Sequence, residues 1–315
     1  MKYIITRFLE SLVTVFVIIT VVFLLMRLLP VEYYFTEEEI KYMTTAEMND
    51  ALEKAGLLDP PLVQLVRYYN QLAHFDLGTS TRLKAGFTVS SIIGSKFLYS
   101  MRFGLIAVCI SYLFGITFGI IQAENKDRFL DQLGMAYVIV VNAVPGLVIY
   151  SLICVFGSRI FGLPNVFSVD KPIISGILPI ICLSIGSIAG EMIWIRRYLV
   201  DELNKDYIKL AYTKGLSHRQ VLTRHMLRNA FVPMSQGLPG SFLGTIGGSM
   251  LVERFYSIPG MGALLTDAVG AYDTNVVQAL VLLYAFIGVI GVFLGDLLLT
   301  VFDPRVRRGK REGVR

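Results

Sequence analysis

Six runs of about 20 residues pass almost without a charge, and their length constrains this chain more than any other feature. They lie near Phe8–Leu29, Phe103–Ala123, Leu133–Phe156, Ile173–Ile195, Phe231–Leu251 and Val276–Val301. A helix needs about 20 apolar residues to cross the hydrocarbon core of a bilayer, whereas a globular core breaks its apolar residues into shorter, patterned runs. Only 17% of the 315 residues are charged and 54% are hydrophobic, against about a quarter charged in soluble domains. A water-soluble enzyme is excluded. The fold expected is all-α and polytopic, with six transmembrane helices. The first run is too apolar for a signal peptide, and Leu28-Leu29-Pro30-Val31 offers no small-residue cleavage site, so it reads as a retained helix.

Six spans put both termini on one side, and Lys and Arg say which. Eighteen of the 29 Lys and Arg flank the spans on the side of the termini, while the short loops opposite hold only Arg159, Lys171 and Arg254. By the positive-inside rule both termini are cytoplasmic. The polar segment Pro30–Phe97, with nine acidic and six basic residues, is then external. Within it, the composition from Glu37 to Ala55 favours helix. The net charge of +5 is thereby topological, set beside anionic headgroups, and calls for membrane lipid rather than nucleic acid as partner. Cys109, Cys154 and Cys182 lie in apolar runs without metal spacing and read as small buried hydrophobes.

Inside the spans, small residues four apart allow close helix approach. Gly240, Gly244 and Gly248 form one such row, and Gly115 with Gly119 and Gly186 with Gly190 form others. Pro145, Pro179 and Pro239 free backbone carbonyls that must face protein or water. Glu191 and Asp296 are the acids deepest in the spans, where an ionisable group is costly enough to mark a pathway unless it is paired at the interface; Arg196 is near enough in sequence to pair with Glu191. Pro145, Glu191, Gly240, Gly244 and Gly248 are the candidate pathway or helix-interface residues.

The most specific pattern lies between the fourth and fifth spans. Arg196 to Lys214 is charged and helix-patterned, and Gly215 is a natural helix stop. Ser217-His218-Arg219-Gln220 fits a capping box, with Leu216 placed to staple onto Val221, so a second helix starts at Ser217. Ile208, Ala211, Tyr212, Leu216, Val221 and Leu222 cluster about this corner, where a soluble partner could bury them. A DNA-reading role is poorly served by a corner tethered between two spans.

The stretch Asp206-Tyr207-Ile208-Lys209-Leu210-Ala211-Tyr212-Thr213-Lys214-Gly215-Leu216-Ser217, followed by Arg224 to Pro233, resembles the signature loop of the permease subunits of ATP-binding-cassette importers, in their oligopeptide, dipeptide and nickel branch. Gly56-Leu57 with Pro61 to Gln64, Asp76-Leu77-Gly78-Thr79-Ser80, Val252 to Gly262 and Asp303-Pro304-Arg305-Val306 are similar to that branch in the same order. The wider superfamily's E-A-A-x-x-x-G has Lys209 and Leu210 in place of Glu and the first Ala, which is again like the peptide branch. The resemblance implies a type I importer permease fold in a bacterial cytoplasmic membrane. It divides the chain into 1–98 (first helix and external segment), 99–303 (five-helix core with coupling helix) and 304–315 (basic tail). It further implies that Asp206, Tyr207, Ala211, Lys214, Gly215, Leu216 and Ser217 carry the contact with the ATPase. The partners implied are a second homologous permease, two ABC ATPase subunits and an extracytoplasmic solute-binding protein.

No G-x-x-x-x-G-K-[ST] loop is present, so ATP and Mg would be used by the partner ATPases, with no cofactor or metal held by this chain and no catalytic residue in it. The substrate expected is an oligopeptide or dipeptide, with nickel as the alternative within the branch. An intramembrane protease would need two facing carboxylates, and Asp273 and Asp296 do not suit; a channel would need no ATPase.

Overall fold

The computed structural model describes residues 2–35, 37–248 and 250–302. Fourteen α-helices are described: α1 (Lys2–Arg27), α2 (Glu37–Tyr42), α3 (Thr45–Lys54), α4 (Pro61–Ala73), α5 (Val89–Glu124), α6 (Phe129–Ala143), α7 (Gly146–Phe161), α8 (Pro172–Leu203), α9 (Asp206–Thr213), α10 (His218–Val221), α11 (Leu227–Gly248), α12 (Met250–Phe255), α13 (Met261–Gly270) and α14 (Thr274–Phe302). No strand is assigned among the described residues. The expected tail, 304–315, lies outside the described residues. Residue 98 falls within α5, so the parts divided at 98 share one continuous helix.

Helices α1, α5, α8 and α14 are each long and apolar enough to cross a membrane. The third expected span, Leu133–Phe156, is corrected: it is the pair α6 and α7, bent by 110°. Pro145 is the reason. It is the N-cap of α7, and Val144 before it is extended at φ −85°, ψ 130°, as the clash between a proline ring and the preceding residue favours. Pro179 and Pro239, in contrast, sit inside continuous helices. The fifth expected span falls on the 22-residue α11, which, unlike α1, α5, α8 and α14, is not among the helices apolar enough by themselves to cross a membrane. Its Gly, Ser, Gln and Pro residues leave it less apolar than the other spans, which suits a helix facing protein or a cavity more than lipid.

Close approach of α5 to α8 organises the bundle. A Cβ on Gly119 would lie 2.1 Å from Ile195 Cγ2, and one on Gly115 would lie 2.5 Å from the Cβ of Glu191. Bare glycine backbone lets the two axes come together, as dispersion-driven packing in lipid requires. The seam of α11 with α14 uses glycines that the spacing arguments passed over: a Cβ on Gly295 would lie 2.3 Å from the Gln236 carbonyl, and Gly291 packs on Gly240. At Gly237, Gly240 and Gly244 an added Cβ would meet open space. Thr245 to Gly248 lie where no side-chain placement is described, and Ser249 is outside the described residues.

Helices α1 and α14 run antiparallel. Arg7 pairs with Asp296 at 3.3 Å and Phe8 meets Phe293 edge-on near one end, so the start of α1 and the end of α14 share that end. Asp296 also accepts a hydrogen bond from Gln236 at 3.2 Å, which makes it a link between α1, α11 and α14 rather than a pathway acid. Cys109 is exposed on the outward face of α5 and Cys154 is half-buried; of the three expected buried thiols only Cys182 is buried.

At the opposite end, two buried carboxylates fasten the connections. Glu253 accepts from the Ser100 hydroxyl at 2.6 Å and from the Gly262 and Ala263 N–H groups at 2.8 and 3.2 Å. It thus occupies the positive N-terminal end of α13. A Cβ on Gly260 would come within 2.3 Å of that carboxylate, which explains why the Val252–Gly262 motif spaces its glycines around Pro259. Asp273 accepts from the Ser80 hydroxyl and from the N–H groups of Arg82 and Leu83 at 3.1 and 3.0 Å. It also accepts from Val276 N–H at the start of α14, at 3.3 Å, so one side chain ties the loop before α5 to the last helix.

Burial pushes the Asp273 carboxyl up, but the Ser80 hydroxyl and the three N–H groups together outweigh it and hold the group below the usual aspartate range. A carboxyl depressed on folding contributes stability that is fully present above its unfolded value, about 3.9, and is lost as pH falls through the folded value. Hydrogen-exchange protection of the amides of residues 82–84 should therefore hold from pH 8 down to about 5 and fall away only below about pH 4. Loss of protection already near neutral pH would contradict this anchoring.

Candidate functional site

The connection from α8 to α11 forms the corner that the capping signals predicted. Helix α9 ends with Gly215 at φ +81°, and Leu216 N–H returns to the Ala211 carbonyl at 3.3 Å, a Schellman-like stop. Ser217 and Gln220 make both halves of a capping box. The second helix is only the one-turn α10, which runs through a π-helical turn over Leu222–Met226 into α11. The corner is thus the entry of the fifth span, rigidly continuous with it.

Most of the corner's apolar residues are already used. Ile208, Ala211, Val221 and Leu222 are buried with Ile195, Leu199 and Met226 in one cluster, with Leu216 packed against it. They hold α9 to the ends of α5, α8 and α11 and are closed to a partner, which corrects the expectation that the whole cluster awaits one. The outward face presents Tyr207, Leu210, Tyr212, Lys214 and Gly215, with Leu210 53% exposed. Asp206 opens α9, favoured there by the helix dipole, and pairs with Lys209 at 3.0 Å. Ser217 spends its side chain on the cap.

Two hydrogen-bond chains brace this face. Asn229 of α11 donates to the Tyr207 hydroxyl at 2.6 Å. The Tyr212 hydroxyl meets His218 Nδ1 at 2.8 Å, and His218 Nε2 lies 3.1 Å from Glu124 at the last turn of α5. A displacement of α9 is therefore carried to α5 and α11 together.

Further into the bundle, α5, α7, α8, α11 and α12 surround a cavity of about 500 Å³. The α8 side of its wall is written at helical spacing: Ser187, Gly190, Glu191 and Trp194 share one face. Ala189, Met192 and Ile195, on the other face, are buried. Of the candidate pathway residues, Glu191 and Gly244 line this cavity; Gly240 packs on α14, Gly248 closes α11 and Pro145 makes the bend outside it. The expected pairing of Glu191 with Arg196 does not form. Arg196 is held by Asp131 through two bonds of 2.6 Å, Nε to Oδ1 and Nη2 to Oδ2, a fork geometry that commits the guanidinium.

The sequence profile of the binding-protein-dependent transport system inner membrane component family matches residues 115–308, which includes the corner and most of the cavity wall. The chain belongs to this family. Over 308 residues it is 30% identical to the oligopeptide transport system permease protein OppB of Salmonella typhimurium, covering 98% of this chain and 99% of that one. It is 31% identical to the dipeptide transport system permease protein DppB of Lactococcus lactis subsp. cremoris, covering 97% and 99%. Against the oligopeptide transport system permease protein AmiC of Streptococcus pneumoniae it is 32% identical over 216 residues, which span 67% of this chain but 42% of AmiC.

As an inner membrane component the chain is a multi-pass membrane protein, and its braced corner leaves a small exposed face on α9. Residues outside the candidate set position it: Asn229, His218 and Glu124 fix the corner, and Asp131 fixes Arg196. An Asp opening one span and an Arg closing the next were the available signal, though their register could not be read without the bend at Pro145. At Gly215 an added Cβ would meet nothing within 4 Å, so only its left-handed φ constrains the residue. Gly215→Asn, which tolerates that region, should keep transport close to the parent, whereas the β-branched Gly215→Val should lose most of it with normal membrane insertion. Equal transport by the two variants, measured as initial uptake per inserted protein, would show that the corner's backbone geometry is not what matters.

Proposed function

We propose that this chain is a translocation subunit of an ATP-driven, binding-protein-dependent importer of oligopeptides or dipeptides. The observation that carries the reading is the braced corner: an exposed aromatic and aliphatic face on α9, fixed by side-chain hydrogen bonds to helices that wall the intramembrane cavity. Such a face suits a soluble motor that pulls on the bundle, and the relatives alignable over nearly the whole chain are peptide permeases by name.

In this reading both termini and the corner are cytoplasmic and the α2–α4 segment is external. An ABC ATPase seats α9, with Tyr207, Leu210 and Lys214 at the contact. ATP and Mg stay in the ATPase. A second, homologous permease with its own coupling helix completes the path, giving two ATPases per complex, and an extracytoplasmic binding protein delivers the peptide. Closure of the ATPases moves the two corners together; because α9 is tied to both α5 and α11, the motion passes to the cavity as a rigid-body switch between inward and outward access. The three histidines give no support to the nickel alternative: His74 bonds the Asn70 carbonyl and His218 serves the corner.

The test is uptake in cells carrying or lacking this chain, with labelled di- to pentapeptides and labelled nickel supplied separately. Peptide accumulation that depends on the chain and on ATP, with nickel accumulation unchanged, is expected. Chain-dependent nickel accumulation without peptide accumulation would contradict the peptide assignment.

A further inference from the structure

The cavity wall contains one charged side chain, and it is an acid without a cationic partner. Among the residues lining the 500 Å³ space, Glu191 is the one Asp, Glu, Lys, Arg or His. The arginine nearest in sequence on the same helix, Arg196, is committed to Asp131. Among the described residues no cation is paired with Glu191. A carboxylate placed in a span and left facing a cavity is costly, and a ligand that supplies the missing positive charge recovers that cost.

Its surroundings have the matching chemistry. Tyr112, Tyr150 and Trp194 share the lining with Glu191, and aromatic faces attract a cation held beside them. Tyr112 of α5, Glu191 of α8 and Ser241 of α11 line the same space, so the three helices meet at this point. Glu191 itself springs from the close α5–α8 seam, at Gly115, which fixes its stem while its carboxyl end reaches the space. Gly186 and Gly190 on the same wall leave bare backbone, with nothing within 4 Å of an added Cβ; room for a ligand is thereby kept open.

We propose that Glu191, framed by Tyr112, Tyr150 and Trp194, is a recognition site for a primary ammonium group, and that its ligand is the α-ammonium of the peptide in transit. The inference rests on the peptide-importer reading. The ammonium donates its N–H groups to the Glu191 carboxylate, and the rings replace part of its hydration shell. The same wall repels the terminal carboxylate, so a peptide enters the cavity amine first.

The test uses the full importer complex in proteoliposomes, with binding protein saturated by one of two probes: a tripeptide, or the same tripeptide lacking only its α-amino group. The parent should carry the amine-bearing probe about tenfold faster or more, the scale of a hydrogen bond to a charged group. Glu191→Gln should lower amine-bearing transport by a similar factor, leave the des-amino probe unchanged, and leave binding-protein-stimulated ATP hydrolysis intact. Glu191→Asp, which retains the carboxylate, should recover part of the preference, and Tyr112→Phe should retain it if the carboxylate rather than its tyrosine partner is the reader. Equal transport of the two probes by the parent, or equal loss of both in Glu191→Gln, would overturn the proposal. A parent complex that moves neither probe with ATP would instead contradict the importer reading on which it rests.

Discussion

Every interruption of a helix in this bundle must satisfy its own backbone groups and charges, because the hydrocarbon around it offers no water to do so. The chain answers with acidic side chains placed at the breaks. Glu253 receives the first N–H groups of α13, Asp273 joins the loop before α5 to the start of α14, and Asp131 opens α6 while holding Arg196. Asp296 closes the contact of α1 with α14. Remove these and the long helices would remain, but nothing would fix their ends in the arrangement that leaves a cavity between them.

The same economy explains the corner. Its apolar residues are consumed in attaching α9 to the bundle, and its polar ones, Tyr212, His218, Asn229 and Glu124, complete the attachment. What remains outward is a small face whose position relative to α5 and α11 is fixed. A partner that moves this face moves two walls of the cavity, and the glycines of α5 allow α8 to follow because the two axes are nearly in contact. In the proposed importer, force passes through this packing and these short hydrogen bonds rather than through a flexible linker.

Much of this was legible from residues alone. The apolar runs located α1, α5, α8, α14 and the bent pair α6–α7, and Gly215 with the Ser217–Gln220 box located the corner to the residue, because caps are local chemistry. Periodicity could not show that Leu133–Phe156 bends by 110°, since proline is tolerated inside α8 and α11 but breaks the chain at Val144–Pro145. Nor could spacing tell which glycine rows face a neighbour: Gly115, Gly119, Gly291 and Gly295 do, and Gly186, Gly190 and Gly244 face open space. The corner's apolar residues were recognised as a cluster, yet whether the chain or a partner buries them is a tertiary question. Likewise Glu191 was seen as an exceptional acid, but its isolation depends on Asp131 having claimed Arg196 across helices 65 residues apart.

The central claim is that the exposed face of α9 seats a nucleotide-hydrolysing partner. Replacing Leu210 with a photo-crosslinking amino acid, irradiating native membranes and identifying the adduct by mass tests it most directly. The account predicts one dominant adduct, to a protein carrying a P-loop, and none when the crosslinker stands instead at the buried Val221. Adducts to lipid alone, or to proteins without a nucleotide-binding loop, would contradict it.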